Sequence, residues 1–375
     1  MYEIKVQGDF LFYMLYAVVA AMDLIACCYL LLRRGNAFAL DVTSSLRLRR
    51  WTAAFFGFMA LSHVWYFPIA YVTSPEDILL CGLIGGLLDC TLVFPAAITV
   101  LFVMLQDRRR PLWPIAVATV PLVVGLVGCL VTRDDTPLQI LRYYLLLVGI
   151  GLLIYMVREV RRYGRWLRDN YADLEHKEVW HSFLVLATFL LSFGFYVSYL
   201  GGPLYEYIVQ VNGALVVCYL LWRVETLSDL SSPQSLLSAA DEETVPTEEE
   251  GGGELELSDS DTDDLGFLLQ QRCVDTQLYL QHDLTLSQLA KVIGTNRFYL
   301  SQYFSRQGLT YNAYINGLRI NYFISHYREV AETLQPFTAQ QLAYDSGYRS
   351  YSTFSLAFKQ RMGQSVTAWM RDNRT

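Results

Sequence analysis

TLSQLAKVIGTNRFYLSQYFSRQG, residues 285–308, and TAQQLAYDSGYRSYSTFSLAFKQRMG, residues 338–363, are two versions of one pattern. Each opens on a short helix-forming run that turns a Leu and an Ala inward, Leu289 and Ala290 in the first, Leu342 and Ala343 in the second. Each continues through a glycine, Gly294 or Gly347, into a second amphipathic run with a Phe near its end, Phe304 or Phe358. Helix, glycine turn and helix is the layout of a helix-turn-helix unit, whose second helix enters a DNA major groove. What precedes these units must place or control them.

The 375-residue chain is 53% hydrophobic and 17% charged, too apolar for an ordinary soluble protein. Its net charge of -7 conceals three regions. Residues 1–224 are nearly balanced, residues 225–264 carry 14 acids and no Lys or Arg, and residues 265–375 carry 11 Lys and Arg against 6 acids. The seven cysteines form no C-x-x-C pair and no Cys/His set with zinc spacing, so they read as small buried hydrophobes; no metal or cofactor is expected. HExxH, GxSxG and a P-loop are all missing from the sequence, which argues against an enzyme.

Seven apolar runs fill the first region: Phe10–Leu32, Trp51–Thr73, Ile78–Leu105, Pro111–Val131, Leu138–Val157, His181–Leu200 and Leu204–Trp222. Each is near the length that spans a bilayer, about 20 residues. The leader MYEIKVQGDF lacks the basic start of a signal peptide, so the first run reads as a span that is kept. Fifteen Lys and Arg follow the first, third, fifth and seventh runs, and only Lys5 and Arg133 lie on the other side. The positive-inside rule then puts the N-terminus outside and the C-terminus in the cytoplasm. Loops on the outer side are short, so any signal is small or lipidic, is sensed within the bundle, or comes from a partner protein. Asp23, His63, Asp89 and Arg142 lie inside these runs; ionisable groups there face the bundle interior and form either a ligand site or polar pairs between helices.

Residues 225–264, with SSPQS, PTEEEGGGE and SDSDTDD, read as a disordered acidic linker. From Leu265 the apolar spacing turns helical again. Two units joined by a connecting helix near Tyr311–Val330 follow, with LTLSQLAKVIG, YLSQYFSRQG, YINGLRI and QQLAYDSGYRSYSTFSLAFKQRMG in order. Over about 100 residues this stretch resembles the DNA-binding domain of the AraC/XylS family of bacterial transcription regulators. The resemblance implies seven helices and two recognition helices, about Asn296–Arg306 and Ser350–Arg361, in successive major-groove segments. By the same resemblance Leu300, Phe304, Phe354 and Phe358 are core. Phe298, Ser301 and Gln302 face bases, with Arg297 and Arg306 near phosphates. Tyr351, Ser352, Ser355 and Leu356 face bases from the second helix, Lys359 lies at the backbone, and Arg319 holds the basic position of the connecting helix. The chain departs from the family at Leu356, where Arg is usual, at Phe323, where a small residue is usual, and at Val366, where Pro is usual. Leu356 can touch a thymine methyl but cannot pair with guanine, so the first unit is expected to discriminate more.

The sequence therefore predicts an all-α protein in three parts. Residues 1–224 are a seven-span membrane domain, 225–264 a disordered acidic linker, and 265–375 an AraC-type domain with two helix-turn-helix units. It would be a one-component transcription regulator of a bacterial inner membrane, reading promoter DNA in the cytoplasm. Its partners would be double-stranded DNA, the lipid bilayer, RNA polymerase, a second copy of itself, and a small or lipidic signal. The alternative is a receptor or transporter-like bundle whose C-terminal module recruits a protein.

Overall fold

The computed structural model describes residues 10–33, 35–38, 42–133, 136–183, 203–230, 259–332 and 337–373. The described residues are helical, with no strand and one isolated bridge, Tyr171 to Thr285. They divide into two compact units: residues 1–162 with 179–231, and residues 163–178 with 232–375.

The first unit holds α1 (Phe10–Leu32), α2 (Leu46–Tyr66), α3 (Pro75–Leu88), α4 (Phe94–Met104), α5 (Trp113–Thr132), most of α6 (Thr136–Asn170) and α7 (Pro203–Thr226). A 3₁₀ turn, Phe67–Ala70, follows α2, and a π-helical turn, Asp89–Val93, joins α3 to α4 without a break. The described residues contain six helical stretches long and apolar enough to cross a membrane: Phe10–Leu32, Leu46–Ile69, Pro75–Met104, Trp113–Thr132, Pro137–Asn170 and Tyr207–Thr226. The remaining predicted run, His181–Leu200, lies almost wholly outside the described residues. Two boundaries differ clearly. The second run was expected to start at Trp51, but α2 begins at Leu46. The fifth run was expected to end at Val157, but α6 continues to Asn170. Its RRYGRWLR stretch changes polarity without supplying a proline, and Arg and Leu are good helix formers.

The basic ends of these helices are tied to buried acids. Glu159 accepts from Arg108 Nη2 (2.9 Å) and Arg110 Nε (2.9 Å), and Arg110 also reaches Asp107 (2.8 Å). Glu225 is fully buried and accepts from the Tyr29 hydroxyl and from the Ala37 and Phe38 amides (2.8 and 3.0 Å). Arg49, itself buried, donates to Asn36 (3.1 Å) and to the Arg33 carbonyl (2.6 Å). Most of the predicted disordered linker, 231–258, falls outside the described residues. Its two ends are helical: Glu225 closes α7, and Asp259–Asp264 open α8 (Asp259–Leu269).

The second unit contains α8, a π-helical turn at Gln270–Val274, α9 (Leu286–Ile293), α10 (Arg297–Arg306), α11 (Tyr311–Glu332), α12 (Ala339–Asp345), α13 (Tyr351–Met362) and α14 (Val366–Asp372). Two apolar clusters support it. Leu265, Leu269, Cys273, Leu289, Ile293, Leu300, Phe304 and Ile315 close under α9 and α10. Phe323, Tyr327, Leu342, Phe354, Phe358 and Trp369 close under α12 and α13. Helix α11 contributes to both. Phe323, the unusual large residue of that helix, is fully buried, with its ring 4.4 Å from that of Phe354 and 5.7 Å from that of Phe358. The space a small residue would leave is filled by aromatic contacts.

Candidate nucleic-acid interface

Both predicted helix-turn-helix units are built as the repeated pattern requires. Thr285 caps α9 in a capping box with Gln288: the Gln288 amide donates to Thr285 Oγ1 (3.2 Å), and the Thr285 amide donates to Gln288 Oε1 (2.9 Å). Gly294 ends α9 with φ +86°, and Asn296 then caps α10 through the Tyr299 amide (2.9 Å). The second unit repeats this order. Thr338 caps α12, Gly347 turns the chain at φ +88°, and Ser350 caps α13 through the Thr353 amide (3.3 Å). A left-handed glycine followed by a polar cap fixes the angle between the two helices of each unit.

The inward residues of α10 and α13 are those expected: Leu300, Phe304, Phe354 and Phe358 are at most 2% exposed. On the outer side of α10, Phe298 is 59% exposed, Arg306 is exposed, and Arg297 and Ser301 are half-buried. Gln302 is half-buried, and its side-chain oxygen is enclosed without a hydrogen-bond partner. On α13, Ser352 and Lys359 are exposed, Leu356 is 61% exposed and Ser355 is half-buried. Tyr351 packs partly on the aromatic cluster, its ring 5.9 Å from that of Phe354. An exposed Phe and an exposed Leu beside short hydroxyl side chains form a surface suited to base edges and thymine methyls.

Arg319 is corrected by the structure. Counted by the resemblance among the DNA-binding residues, as the basic position of the connecting helix, it is fully buried inside the unit. Its Nε donates to the Tyr279 carbonyl (2.7 Å) and its Nη2 to the Gln281 carbonyl (2.8 Å), and the guanidinium lies 5.4 Å from the centre of the Tyr348 ring. Burial lowers its pKa from the ordinary arginine value and raises that of the Tyr348 phenol. A side chain so enclosed joins the two helix-turn-helix units, and burial keeps even its unpaired Nη1 from a phosphate.

Two further residues stand at the start of α13 that the sequence pattern does not single out. Thr353 is half-buried in its first turn, and Arg349, 54% exposed, precedes the cap and pairs with Asp283. Thr353 Oγ1 donates to Glu175 Oε2 (3.0 Å), and Glu175 is remote in sequence but belongs to the same unit. The clue available in sequence was weak: YADLEHKE is short, of mixed charge, and lies between two apolar runs.

The four ionisable residues inside the apolar runs belong to the first unit, and the structure brings two of them together. Asp23 Oδ2 lies 4.0 Å from His63 Nδ1, and both residues are buried. The imidazole also lies 2.8 Å from the Met59 carbonyl and 3.2 Å from Gln210 Oε1. Asp89, at the start of the π-helical turn, accepts from the Tyr66 hydroxyl (2.9 Å). Gly85 makes room for the Tyr66 ring, since a Cβ there would overlap it. Arg142 is half-exposed on α6. No group of three or more His, Cys, Asp or Glu suited to a metal occurs among the described residues.

Cys273 is the one cysteine between Ser232 and Thr375, and burial pushes its thiol up to about 11. The thiolate is the reactive form, so this cysteine should resist alkylation at pH 8 until the unit unfolds. Peptide mapping after iodoacetamide treatment of the native full-length chain checks this; rapid labelling of Cys273 would show that the core under α8 opens readily.

Residues 289–372 match a protein-family model described as a helix-turn-helix domain. No curated protein and no solved structure matches the chain.

Proposed function

We propose that the AraC-type helix-turn-helix domain at residues 289–372 reads promoter DNA from the cytoplasmic face of a bacterial inner membrane, in which the first unit is embedded. The observation that carries this is the pair of capped recognition helices, α10 and α13, each with aromatic core beneath and polar or apolar reading groups outside. Ser301, Gln302 and Phe298 contact bases, with Arg297 and Arg306 at phosphates. Ser352, Ser355, Leu356 and Tyr351 form the second reading surface, with Lys359 at the backbone. Leu356 offers only a methyl contact, so the first unit supplies most of the discrimination. Six apolar helices and the one-sided distribution of arginines support the membrane assignment. Asp23, His63 and Asp89 are the polar groups through which a small or lipidic signal, or a change of protonation, acts on the first unit. RNA polymerase and a second copy of the chain are the protein partners of such a regulator.

Chromatin immunoprecipitation of the full-length protein tests this reading. Discrete promoter sites are expected, each with two sequence elements about one helical turn apart. Replacing Ser301 and Gln302 together by Ala should flatten the discrete sites, because each good base contact supplies about 1–3 kcal/mol of discrimination. Lys359→Ala should lower occupancy evenly across sites, as loss of a phosphate contact does. An immunoprecipitate with no enriched DNA would remove the regulator reading.

A further inference from the structure

Residues Tyr171–Glu178 lie between α6 and the next predicted span, yet they belong to the helix-turn-helix unit. Their backbone is stitched to the segment that enters α9. Tyr171 bridges Thr285, and the Ala172 amide donates to the Leu284 carbonyl (3.3 Å). The Ala172 carbonyl accepts from Asn312 Nδ2 (2.7 Å) on α11, and the Ala172 methyl is buried in the cluster under α9 and α10. The next residues form a turn. Asp173 accepts from the Glu175 amide (3.1 Å), the Lys177 amide reaches the Leu174 carbonyl (3.1 Å), and His176 takes a left-handed φ of +59°. The turn presents two charges. Lys177 lies 3.5 Å from Asp283, which also pairs with Arg349. The Glu175 carboxylate accepts from Thr353 in the first turn of α13.

We propose that Tyr171–Glu178 is an internal clasp that occupies the start of the second recognition helix and must let go before that helix enters DNA. The inference rests on the reading that this unit binds DNA. The first turn of a recognition helix is where phosphates and base edges meet the protein, and its free amides favour an anion. Glu175 places a carboxylate at that turn through the Thr353 hydroxyl, on a side chain that would stand beside DNA phosphates of the same charge. Asp283 meanwhile holds Arg349, the cation next to the cap, in the same network as Lys177. Because α6 runs unbroken from Thr136 to Asn170 and the clasp starts at the next residue, a shift or rotation of α6 pulls on the clasp directly.

The test uses the full chain in lipid nanodiscs and, as probe, a random-sequence duplex of about 30 bp at about 50 mM salt. Removing Glu175's charge-assisted hydrogen bond should tighten binding at least about tenfold for Glu175→Ala. Glu175→Gln, which keeps a hydrogen-bond acceptor and loses the charge, should fall between wild type and Glu175→Ala. Equal or weaker binding by Glu175→Ala than by wild type would overturn the clasp while leaving DNA binding intact. Hydrogen exchange of the wild-type chain gives a reading that needs no variant. Saturating duplex should strip protection from the amides of Ala172 to Lys177; unchanged protection there in the DNA-bound chain would also overturn it. If neither wild type nor Glu175→Ala binds the duplex, the DNA-reading assignment fails, and the clasp fails with it.

Discussion

Replacing Arg319 by Ala should cost the helix-turn-helix unit about 3–5 kcal/mol, a large share of the 5–15 kcal/mol that holds a typical domain folded. The side chain is fully buried, and two of its N–H groups satisfy the carbonyls of Tyr279 and Gln281. Truncation leaves the buried Tyr279 carbonyl without its donor, at about 1–3 kcal/mol, removes the part-buried bond to Gln281 and adds a cavity. It also removes the cation from the face of Tyr348, a residue of the second unit's core, while Tyr279 packs with the first. Arg319→Lys should recover little, because an ammonium cannot reproduce a fork that reaches two carbonyls and stacks on a ring. Hydrogen exchange of the full chain reads the outcome: protection should fall across α11, α12 and α13 together. A phosphate-contacting arginine would behave differently. Its loss would reduce the salt dependence of DNA binding by about one ion and leave exchange unchanged. That second pattern for Arg319→Ala would refute its structural role.

The misplacement of Arg319 marks where sequence stops being legible here. Short-range chemistry was readable in the two helix-turn-helix units. Thr285, Asn296, Thr338 and Ser350 cap the helices the repeated pattern predicts, and Gly294 and Gly347 sit at left-handed turns. The inward positions of α10 and α13, Leu300, Phe304, Phe354 and Phe358, followed from the resemblance to the AraC/XylS family and are buried. What depends on residues far apart in the chain was not readable. An arginine on an amphipathic helix looks the same whether it faces phosphate or is enclosed by carbonyls 38 and 40 positions away. Glu225 read as the first acid of a solvated linker, yet it is buried among Tyr29, Ala37 and Phe38. Arg49 and Arg110 were counted only as charges that set topology, but both are buried in hydrogen-bonded pairs. Glu175 and Thr353 lie 178 residues apart, and no local pattern joins them. Asp23 and His63 were singled out because ionisable groups are costly in apolar surroundings. Their proximity follows from how α1 packs on α2, which no periodicity specifies.

Gly347→Ala should destabilise the second helix-turn-helix unit by about 2–5 kcal/mol. Two independent costs add. The backbone at Gly347 has φ +88°, where an L-residue is strained by about 1–2 kcal/mol. A Cβ there would also lie 2.7 Å from the Leu280 carbonyl oxygen and 2.9 Å from its Cα, both backbone atoms with no side chain to swing aside. Relieving that overlap means moving the Leu278–Leu280 turn, which carries the Tyr279 carbonyl bound by Arg319, or moving Tyr348, which lies under the same guanidinium. The substitution therefore strikes the joint between the two units as well as the turn. Gly363 is the internal control: its φ is +73°, but an added Cβ meets nothing within 4 Å. Gly363→Ala should show the backbone cost alone, about 1–2 kcal/mol. Gly363→Ala and Gly347→Ala compared by thermal unfolding of the full chain separate the two contributions. If they lower the unfolding temperature equally, the close approach of Leu280 contributes nothing, and the turn at Gly347 is held only by its handedness.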